Sequence, residues 1–387
     1  MTTLLDILRH EWHAIGRRIR GLAMISRGIV PNLLISQRVV SKVTEAARRF
    51  IADETGETMV GLLLAADPHN ADAMPTLLVL DTIAPDESSI RRAYMFEQGD
   101  DIQGDLFVWW LENWEAYQQL GRDMQGKPIK PEWKTPLRHL GDWHKQPGFM
   151  IQPSGGDLMT ALRFMEDDEN ALDFLLVPIV TLGHDSVTIE PDDAQVNYFT
   201  VPLGDGTSLR MDWWYIHRDS RFFQPITPRI IPADQVPSLT PYPWHILDRE
   251  LLEDEVGQLE DNGYFLLGNT TILWEVDGDL PLEICFIVGQ RGSSQVWLIV
   301  TDWDYPTHEP RLYRAEFSGI NTNMYIYDVF AQLWARRQEV ILPSGFRWTE
   351  ESFLVDALLA LSPPSKPAGR VQIPVDPGED DHPSTPD

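Results

Sequence analysis

Residues 141–147 read GDWHKQP, and residues 154–157 read SGGD after six intervening residues. In an extended segment, side chains at i and i+2 point to the same side, so a strand here puts His144 and Gln146 on one face. Ser154 followed three residues later by Asp157 is typical of a helix start. The segment therefore predicts a strand, a loop and a helix. From the spacing of the two segments we predict that a ring nitrogen of His144 and a carboxylate oxygen of Asp157 lie within about 5 Å of each other, near the reach of one metal ion.

This pattern resembles the metal-binding signature of the bacterial-type JAB/MPN (JAMM) metallopeptidases, which reads His-x-His-Pro, six residues, then Ser-x-x-Asp. The resemblance covers about residues 33–225. It implies an α/β (α+β) fold with a mixed sheet flanked by helices. It also implies a zinc ion bound by His144, residue 146 and Asp157, with Ser154 donating to the oxyanion. Members of this family act on ubiquitin-like modifiers, so an isopeptidase activity is implied as well.

One ligand position departs from the family pattern, because Gln146 stands where the second histidine belongs. An amide oxygen is a weak neutral ligand that suits hard cations better than zinc. Zinc is therefore the implied cofactor, and Gln146 is the residue that puts zinc binding in question. Asp142 lies two residues before His144, on the same face of a regular strand, and is an alternative ligand.

The general base implied by the resemblance is a glutamate at the start of an early strand, with glycines three and seven residues after it. Glu54 has Gly61 at the seventh position but Glu57 at the third. Glu57 has Gly61 four residues later, one position out of register. Glu54 is favoured and Glu57 is the second candidate. If Gly61 is instead the first glycine of the pattern, Thr58 occupies the base position and the base is lost.

The hydrophobic pattern predicts alternating helices and strands. An apolar face over residues 35–53 predicts a helix, and residues 174–182 read as one buried strand. Six prolines between residues 225 and 243 predict a linker. The chain is thereby divided into a basic amphipathic N-terminal helix (1–30), a JAB/MPN-like domain (31–228), a Pro-rich linker (229–245), a UBC/RWD-like domain (246–362) and a disordered tail (363–387).

The UBC/RWD-like assignment comes from residues 302–310, which read DWDYPTHEP. They resemble the Tyr-Pro-x-x-x-Pro turn of the ubiquitin-conjugating fold, and a helix and a strand meander precede them. No cysteine follows where a conjugating enzyme carries its catalytic one. Cys285 is the single cysteine of the chain and has apolar neighbours, so we expect a buried thiol that forms no thioester. The resemblance then implies a non-catalytic α+β binding module.

Composition excludes several classes of protein. The 387 residues carry a net charge of −28, and nucleic-acid binding requires clustered Lys and Arg, so we expect no nucleic-acid partner. No apolar run reaches the ~20 residues of a membrane helix, so we expect no transmembrane segment. The N-terminus lacks the charge order of a signal peptide. The expected location is cytoplasmic.

The sequence leaves two possible functions open. The first is a zinc isopeptidase or peptidase that acts on a ubiquitin-like modifier through an altered metal site. The second is a catalytically inactive scaffold that binds such a modifier or a conjugation partner. The implied partners are a ubiquitin-like protein or its conjugate, and the activating or conjugating enzymes of the same system.

Overall fold

The structure is a computed structural model that describes residues 28–66, 73–99, 102–167, 170, 172–185, 196–274, 280–320 and 325–361. The predicted N-terminal amphipathic helix, apart from its last residues, and the predicted disordered tail lie outside these ranges. Within them the protein is a mixed α/β structure, with one large, nearly closed sheet and a separate antiparallel sheet. The expected fold class is confirmed at this level.

The large sheet has 11 strands and contains both parallel and antiparallel pairs. Its central path runs β12-β11-β7-β6-β2-β3-β1-β13, and β8, β10 and β9 branch from β6. A separate two-stranded hairpin consists of β4 (Ile90–Arg92) and β5 (Met95–Glu97). The strands of the large sheet are β1 (Asn32–Ser36), β2 (Gly56–Leu64), β3 (Thr76–Ile83), β6 (Leu137–Lys145), β7 (Phe174–Leu176), β8 (Ile179–Asp185), β9 (Tyr198–Pro202), β10 (Thr207–Asp212), β11 (Trp214–His217), β12 (Gln224–Pro225) and β13 (Pro228–Ile231).

Three helices pack on this sheet: α1 (Gln37–Arg49), α2 (Ile102–Leu120) and α3 (Gly155–Glu166). Helix α1 begins at Ser36, whose hydroxyl oxygen accepts a hydrogen bond from the backbone N–H of Arg38. Its residues Val39 and Val43 are buried in the same apolar cluster as Trp143 of β6. This face of the sheet is therefore closed by the helix predicted from the apolar periodicity.

The segment predicted as one strand over residues 174–182 forms two strands, β7 and β8. Pro178 lies between them and has no backbone N–H to donate to a ladder, so the strand is interrupted there. The carbonyl oxygen of Pro178 instead accepts a hydrogen bond from the backbone N–H of His144. Strand β6 therefore pairs first with β7 and then, past the proline, with β8.

The second sheet has five strands in the order β14-β15-β16-β17-β18, all antiparallel. This is the meander expected from the sequence. The last helix of this part begins at Leu354, where Asp356 accepts a hydrogen bond from the N–H of Phe353. The elements are α4 (Trp244–Leu247), α5 (Arg249–Asp261), β14 (Tyr264–Trp274), β15 (Glu283–Gln290), β16 (Gln295–Thr301), β17 (Arg311–Glu316), α6 (Ile326–Ala335), β18 (Gln338–Val340) and α7 (Leu354–Leu361).

The proline-rich stretch is packed against the rest of the protein. Its first residues form β13, which pairs in parallel with β1. Further along, the carbonyl oxygens of Pro241 and Thr240 accept hydrogen bonds from the indole N–H groups of Trp109 and Trp110. One apolar cluster continues from α2 through this stretch into α5, α7 and the second sheet. The tryptophans of α2 are therefore core residues.

No helix within the described ranges combines the length and the apolar character that crossing a membrane requires.

Candidate functional site

Strand β6 positions the first two predicted ligands. His144 pairs with Gly56 of β2 on one side and with Ile179 of β8 on the other. The backbone N–H of Gln146 donates to the carbonyl oxygen of Val180 at 2.9 Å, so the extended backbone continues one residue past the strand. The side chains of His144 and Gln146 consequently lie on the same side, as the spacing predicted.

The first residue of the motif, Gly141, allows β6 to approach β7. Its φ is 128°, in the region that favours glycine. A Cβ atom at this position would lie 2.0 Å from the carbonyl oxygen of Leu176 in β7. The close approach therefore requires glycine three residues before His144, which explains part of the motif by packing alone.

The predicted ligand positions converge. Oδ1 of Asp157 lies 3.5 Å from Nε2 of His144. The side-chain nitrogen of Gln146 lies 3.0 Å from the same histidine nitrogen and 3.2 Å from Oδ2 of Asp157. The expectation that His144 and Asp157 approach within about 5 Å is confirmed. Gln146 lies beside both, so the three side chains share one site.

Gln146 presents its nitrogen, and not its oxygen, to the other two side chains. An amide NH₂ group only donates, so Nε2 of His144 accepts and the ring proton resides on Nδ1. The second hydrogen of the amide is directed to the carboxylate of Asp157. Oε1 of Gln146 is buried and has no hydrogen-bond partner, and the whole residue is 7% exposed. The amide thus bridges a neutral imidazole and a carboxylate.

The environment of His144 favours its neutral form. Burial lowers the pKa of the imidazole below its ordinary value, and the negative charges of Asp157 and Asp142 offset this effect only in part. Neutral imidazole is the form that binds a metal ion, and it is also the form that accepts a hydrogen bond from Gln146.

Ser154 and Asp157 begin helix α3 with a reciprocal cap. The hydroxyl oxygen of Ser154 accepts from the N–H of Asp157 at 3.3 Å, and Oδ2 of Asp157 accepts from the N–H of Ser154. The prediction that Ser154 and Asp157 mark the start of a helix is therefore confirmed. The cap also fixes the rotamer of Asp157, so its carboxylate faces His144 and Gln146 at the N-terminal end of the helix, where negative charge is stabilised.

Glu54 lies two residues before β2 and is half-buried. Its backbone N–H donates to the carbonyl oxygen of Arg92 in the β4–β5 hairpin at 2.8 Å. Burial raises the pKa of Glu54, the negative charge of Asp157 raises it further, and Lys145 opposes both effects. The carboxylate of Glu54 is therefore electrostatically coupled to Asp157.

The structure does not bring Glu57 to this site. Glu57 pairs with Trp143, which faces away from His144, and its Oε2 accepts a long hydrogen bond from the indole N–H of Trp143 at 3.4 Å. The side chain is buried, and this burial raises its pKa. Because neighbouring residues of a strand point to opposite faces, Glu57 lies on the face that carries Trp143 and not on the face that carries His144.

Asp142 does not complete a three-ligand group with His144 and Asp157. Its Oδ1 accepts from the hydroxyl of Thr58 at 2.8 Å and lies 3.4 Å from Nε2 of His139. Burial alone would raise the pKa of Asp142, but His139 and the hydrogen bond from Thr58 lower it. The alternative ligand proposed from the sequence is thus engaged with other partners. Thr58, which would occupy the base position in the alternative register that loses the base, is one of those partners.

Elsewhere in the part of the chain that the structure describes, one group of three side chains has ligand atoms within 4.8 Å of one another: Asp302, Asp304 and His308. It lies in and beside the turn that precedes β17. His308 and Asp302 are largely exposed, and Arg311 approaches Asp302 at 3.8 Å. Exposed acidic groups of this kind are common without an ion.

Two of the three protein positions fit zinc, and the third does not. A neutral imidazole and a carboxylate are ordinary zinc ligands. Gln146 offers hydrogen atoms to these same two groups, whereas a ligand would offer its oxygen. Its oxygen is the buried atom without a partner. The arrangement of these three side chains therefore differs from that of an ordinary zinc centre.

Sequence reasoning missed two residues that bind the segment around Glu54. Lys145 is buried, and its ammonium group donates to the carbonyl oxygens of Phe50 and Ile51. Arg91 donates to the hydroxyl of Thr55 at 3.3 Å. A lysine between two site residues on a strand that is otherwise mostly buried could have indicated such a role for Lys145. The pattern contains no comparable indication for Arg91.

No family model matches the chain, and no curated protein matches it. Among solved structures, the chain is similar to the solution structure of protein DSY2949 from Desulfitobacterium hafniense. The identity is 13%, the match covers 52% of this chain and 93% of that chain, and the TM-score is 0.26. A likeness at this TM-score carries no argument about fold or function.

Proposed function

We propose that residues 31–228 form a JAB/MPN-type metal-dependent isopeptidase domain that acts on a ubiquitin-like modifier, with Gln146 in place of one metal-binding histidine. The observation that carries the proposal is the 3.5 Å approach of His144 Nε2 to Asp157 Oδ1. These two side chains come from a strand and from the start of the following helix, and Glu54 from a third segment is coupled to them. Convergence of these residue types is what metal-assisted hydrolysis requires.

Each residue has a distinct part in this proposal. His144 and Asp157 would hold a zinc ion with Gln146 beside it, and the ion would polarise the scissile carbonyl and acidify a water molecule. Glu54 accepts the proton of the attacking water, a task suited to a carboxylate whose pKa is raised. Ser154 uses its oxygen as a helix cap, so its hydroxyl hydrogen remains available to the developing oxyanion.

A second candidate function is a domain that binds the modifier without cleaving it. The amide of Gln146 donates to both His144 and Asp157, and so supplies the favourable contacts that a cation would otherwise supply. A site stabilised in this way needs no metal to keep its shape. This observation favours a recognition module derived from a hydrolase.

Residues 246–362 form a UBC/RWD-like binding module in this proposal. The antiparallel meander and its flanking helices support the assignment. Cys285 lies in β15 and is fully buried, and burial raises the pKa of its thiol. A conjugating enzyme needs an accessible thiol, so the module recognises a modifier or an activating or conjugating enzyme without forming a thioester.

Hydrolysis of a C-terminal aminomethylcoumarin amide of a ubiquitin-fold protein tests the two candidates. The assay compares the wild type, Gln146→His and the double variant Gln146→His/Glu54→Gln, each with added zinc. The hydrolase proposal expects activity that increases in Gln146→His and is lost in the double variant. Binding of the same protein without cleavage by the wild type or by Gln146→His supports the recognition module. If the protein neither binds nor cleaves this substrate, both candidates are contradicted.

A further inference from the structure

Lys145 is the last residue of β6 and lies between His144 and Gln146 in the sequence, with its side chain on the opposite face of the extended backbone. Only 5% of the residue is exposed, which is unusual for lysine. Its ammonium group donates to the carbonyl oxygens of Phe50 at 2.6 Å and Ile51 at 2.7 Å. These carbonyls follow the last turn of α1, where backbone acceptors lack partners within the helix and positive charge is favourable.

The backbone of Lys145 makes a further contact with the same segment. Its N–H donates to the carbonyl oxygen of Thr55 at 2.7 Å. One residue of β6 therefore binds the chain at positions 50, 51 and 55, on both sides of Glu54. A further hydrogen bond, from the N–H of Glu54 to Arg92, holds the segment from the hairpin.

We propose that Lys145 is a positioning residue for Glu54: it fastens the segment 50–55 to the strand that carries His144, and thereby holds the Glu54 carboxylate against the site. This inference rests on the proposed function, in which Glu54 acts on the bound water. The position of Lys145 directly after His144 explains why this residue is suited to the role. A residue next to His144 in sequence moves with the site, so the ligand strand and the base segment keep a fixed separation.

Electrostatics are consistent with this geometry. Burial and the charge of Asp157 raise the pKa of Glu54, and the positive charge of Lys145 lowers it. Without the ammonium group, the segment would lose two hydrogen bonds to a charged donor, and Glu54 would be repelled by Asp157 without compensation.

The test uses the full chain with Lys145→Met, which keeps the length of the side chain and removes the ammonium group. Lys42→Met is the matched control. It removes a lysine of α1 that binds Asp81 at 2.7 Å in the same domain and does not contact residues 50–55. Hydrogen exchange is measured for peptides covering 50–56 and, as an internal reference, 174–182. Zinc affinity and turnover of the aminomethylcoumarin substrate are measured in the wild-type and Gln146→His backgrounds.

The inference expects exchange of 50–56 to accelerate about tenfold or more in Lys145→Met, with no change at 174–182 and no change in Lys42→Met. Turnover should fall about 10- to 100-fold, since displacing a catalytic group by about 1 Å has effects of this size. Zinc affinity should stay within about threefold, because His144 and Asp157 keep their places.

Unchanged exchange at 50–56 would overturn the inference, and so would exchange that accelerates equally at 174–182. Faster local exchange with unaltered turnover would overturn it as well. Turnover and zinc affinity falling together would assign Lys145 a general structural role. If neither background cleaves the substrate, the hydrolase proposal fails, and the exchange data alone decide whether Lys145 fixes the segment around Glu54.

Discussion

The side-chain nitrogen of Gln146 lies 3.0 Å from Nε2 of His144, and only one of these two atoms can donate. Because an amide nitrogen never accepts, the histidine nitrogen offers its lone pair to the amide. This lone pair is the one that a metal ion would use. A metal ion that binds His144 would therefore have to displace the amide of Gln146, and its second hydrogen bond makes the same true at Asp157.

Replacement of Gln146 by alanine should destabilise the protein. Nε2 of His144 would lose the donor that it has in this site, and Asp157 would lose one of its hydrogen bonds. We expect the free energy of unfolding to fall by about 1–3 kcal/mol, measured by chemical denaturation without added metal. Gln119→Ala is the control, since Gln119 is exposed on α2 and its replacement should change stability by less than about 0.5 kcal/mol. Equal stabilities of the two variants would mean that the amide bridge contributes nothing.

The two glutamates left open by the sequence should separate in a kinetic experiment. In the zinc-loaded Gln146→His background, Glu54→Gln should lower turnover by about 10²- to 10⁴-fold, the range of general base catalysis. Glu57→Gln should leave turnover within about tenfold, because Glu57 lies on the other face of β2 beside Trp143. If Glu57→Gln lowers turnover more than Glu54→Gln does, and its thermal stability is unchanged, Glu57 and not Glu54 is the general base.

Glu255 gives the second part of the chain a pH-dependent stability. Burial raises the pKa of Glu255 to about 7, and its two oxygens accept from the hydroxyl of Tyr305 and the N–H of Leu354. The folded protein thus binds this proton more tightly than the unfolded chain, in which the pKa of the glutamate is 4.5. Stability from this group is present below pH 4.5 and is lost as pH rises through about 7.

The variant Glu255→Gln should remove this pH dependence. An amide can accept from Leu354 and donate to the oxygen of Tyr305, so both contacts can be kept. We expect Glu255→Gln to match the wild type near pH 4.5 and to exceed its unfolding free energy by about 2–3 kcal/mol at pH 8. Urea denaturation at the two pH values measures the difference. A parallel pH dependence in both proteins would show that Glu255 does not titrate in this range.

Cys285 should be inert in the folded protein. The thiol is fully buried in β15, and burial raises its pKa, so little thiolate is present and reagents cannot reach it. Native protein should react with a thiol-specific probe at least about 10²-fold more slowly than protein unfolded in urea. Rapid labelling of the native state, or a reducible adduct with an activated modifier, would make Cys285 a carrier and refute the binding-module assignment.

The sequence predicted those parts of the fold that depend on neighbouring residues. Strand β6 and helix α3 are set by the GDWHKQP and SGGD segments, whose turn, cap and alternation are local properties. The apolar face of α1 is equally local. The pairing of β13 with β1 joins residues far apart in the chain, and a proline-rich stretch gave no indication of it. The break at Pro178 was visible in the sequence but was outweighed by the apolar run around it.

The site was predictable to the same extent. His144, Gln146 and Asp157 converge because one loop joins the end of a strand to the start of a capped helix. The choice between Glu54 and Glu57 depends on which residue of β2 pairs with His144, and one step of register reverses the face. No pattern in a single sequence fixes that register. The contacts of Lys145 with Phe50 and Ile51 likewise exist only once α1 ends beside β6.

Zinc titration calorimetry of the metal-free wild type and of Gln146→His tests most directly whether residues 144, 146 and 157 form a metal site. The variant replaces an amide that competes for His144 with a third good zinc ligand. We predict that Gln146→His binds one zinc ion at least about 100-fold more tightly than the wild type, and that Asp157→Asn in the same background reverses the gain. Equal affinities of wild type and Gln146→His would mean that residue 146 does not lie at a metal position, and the account of this site would be wrong.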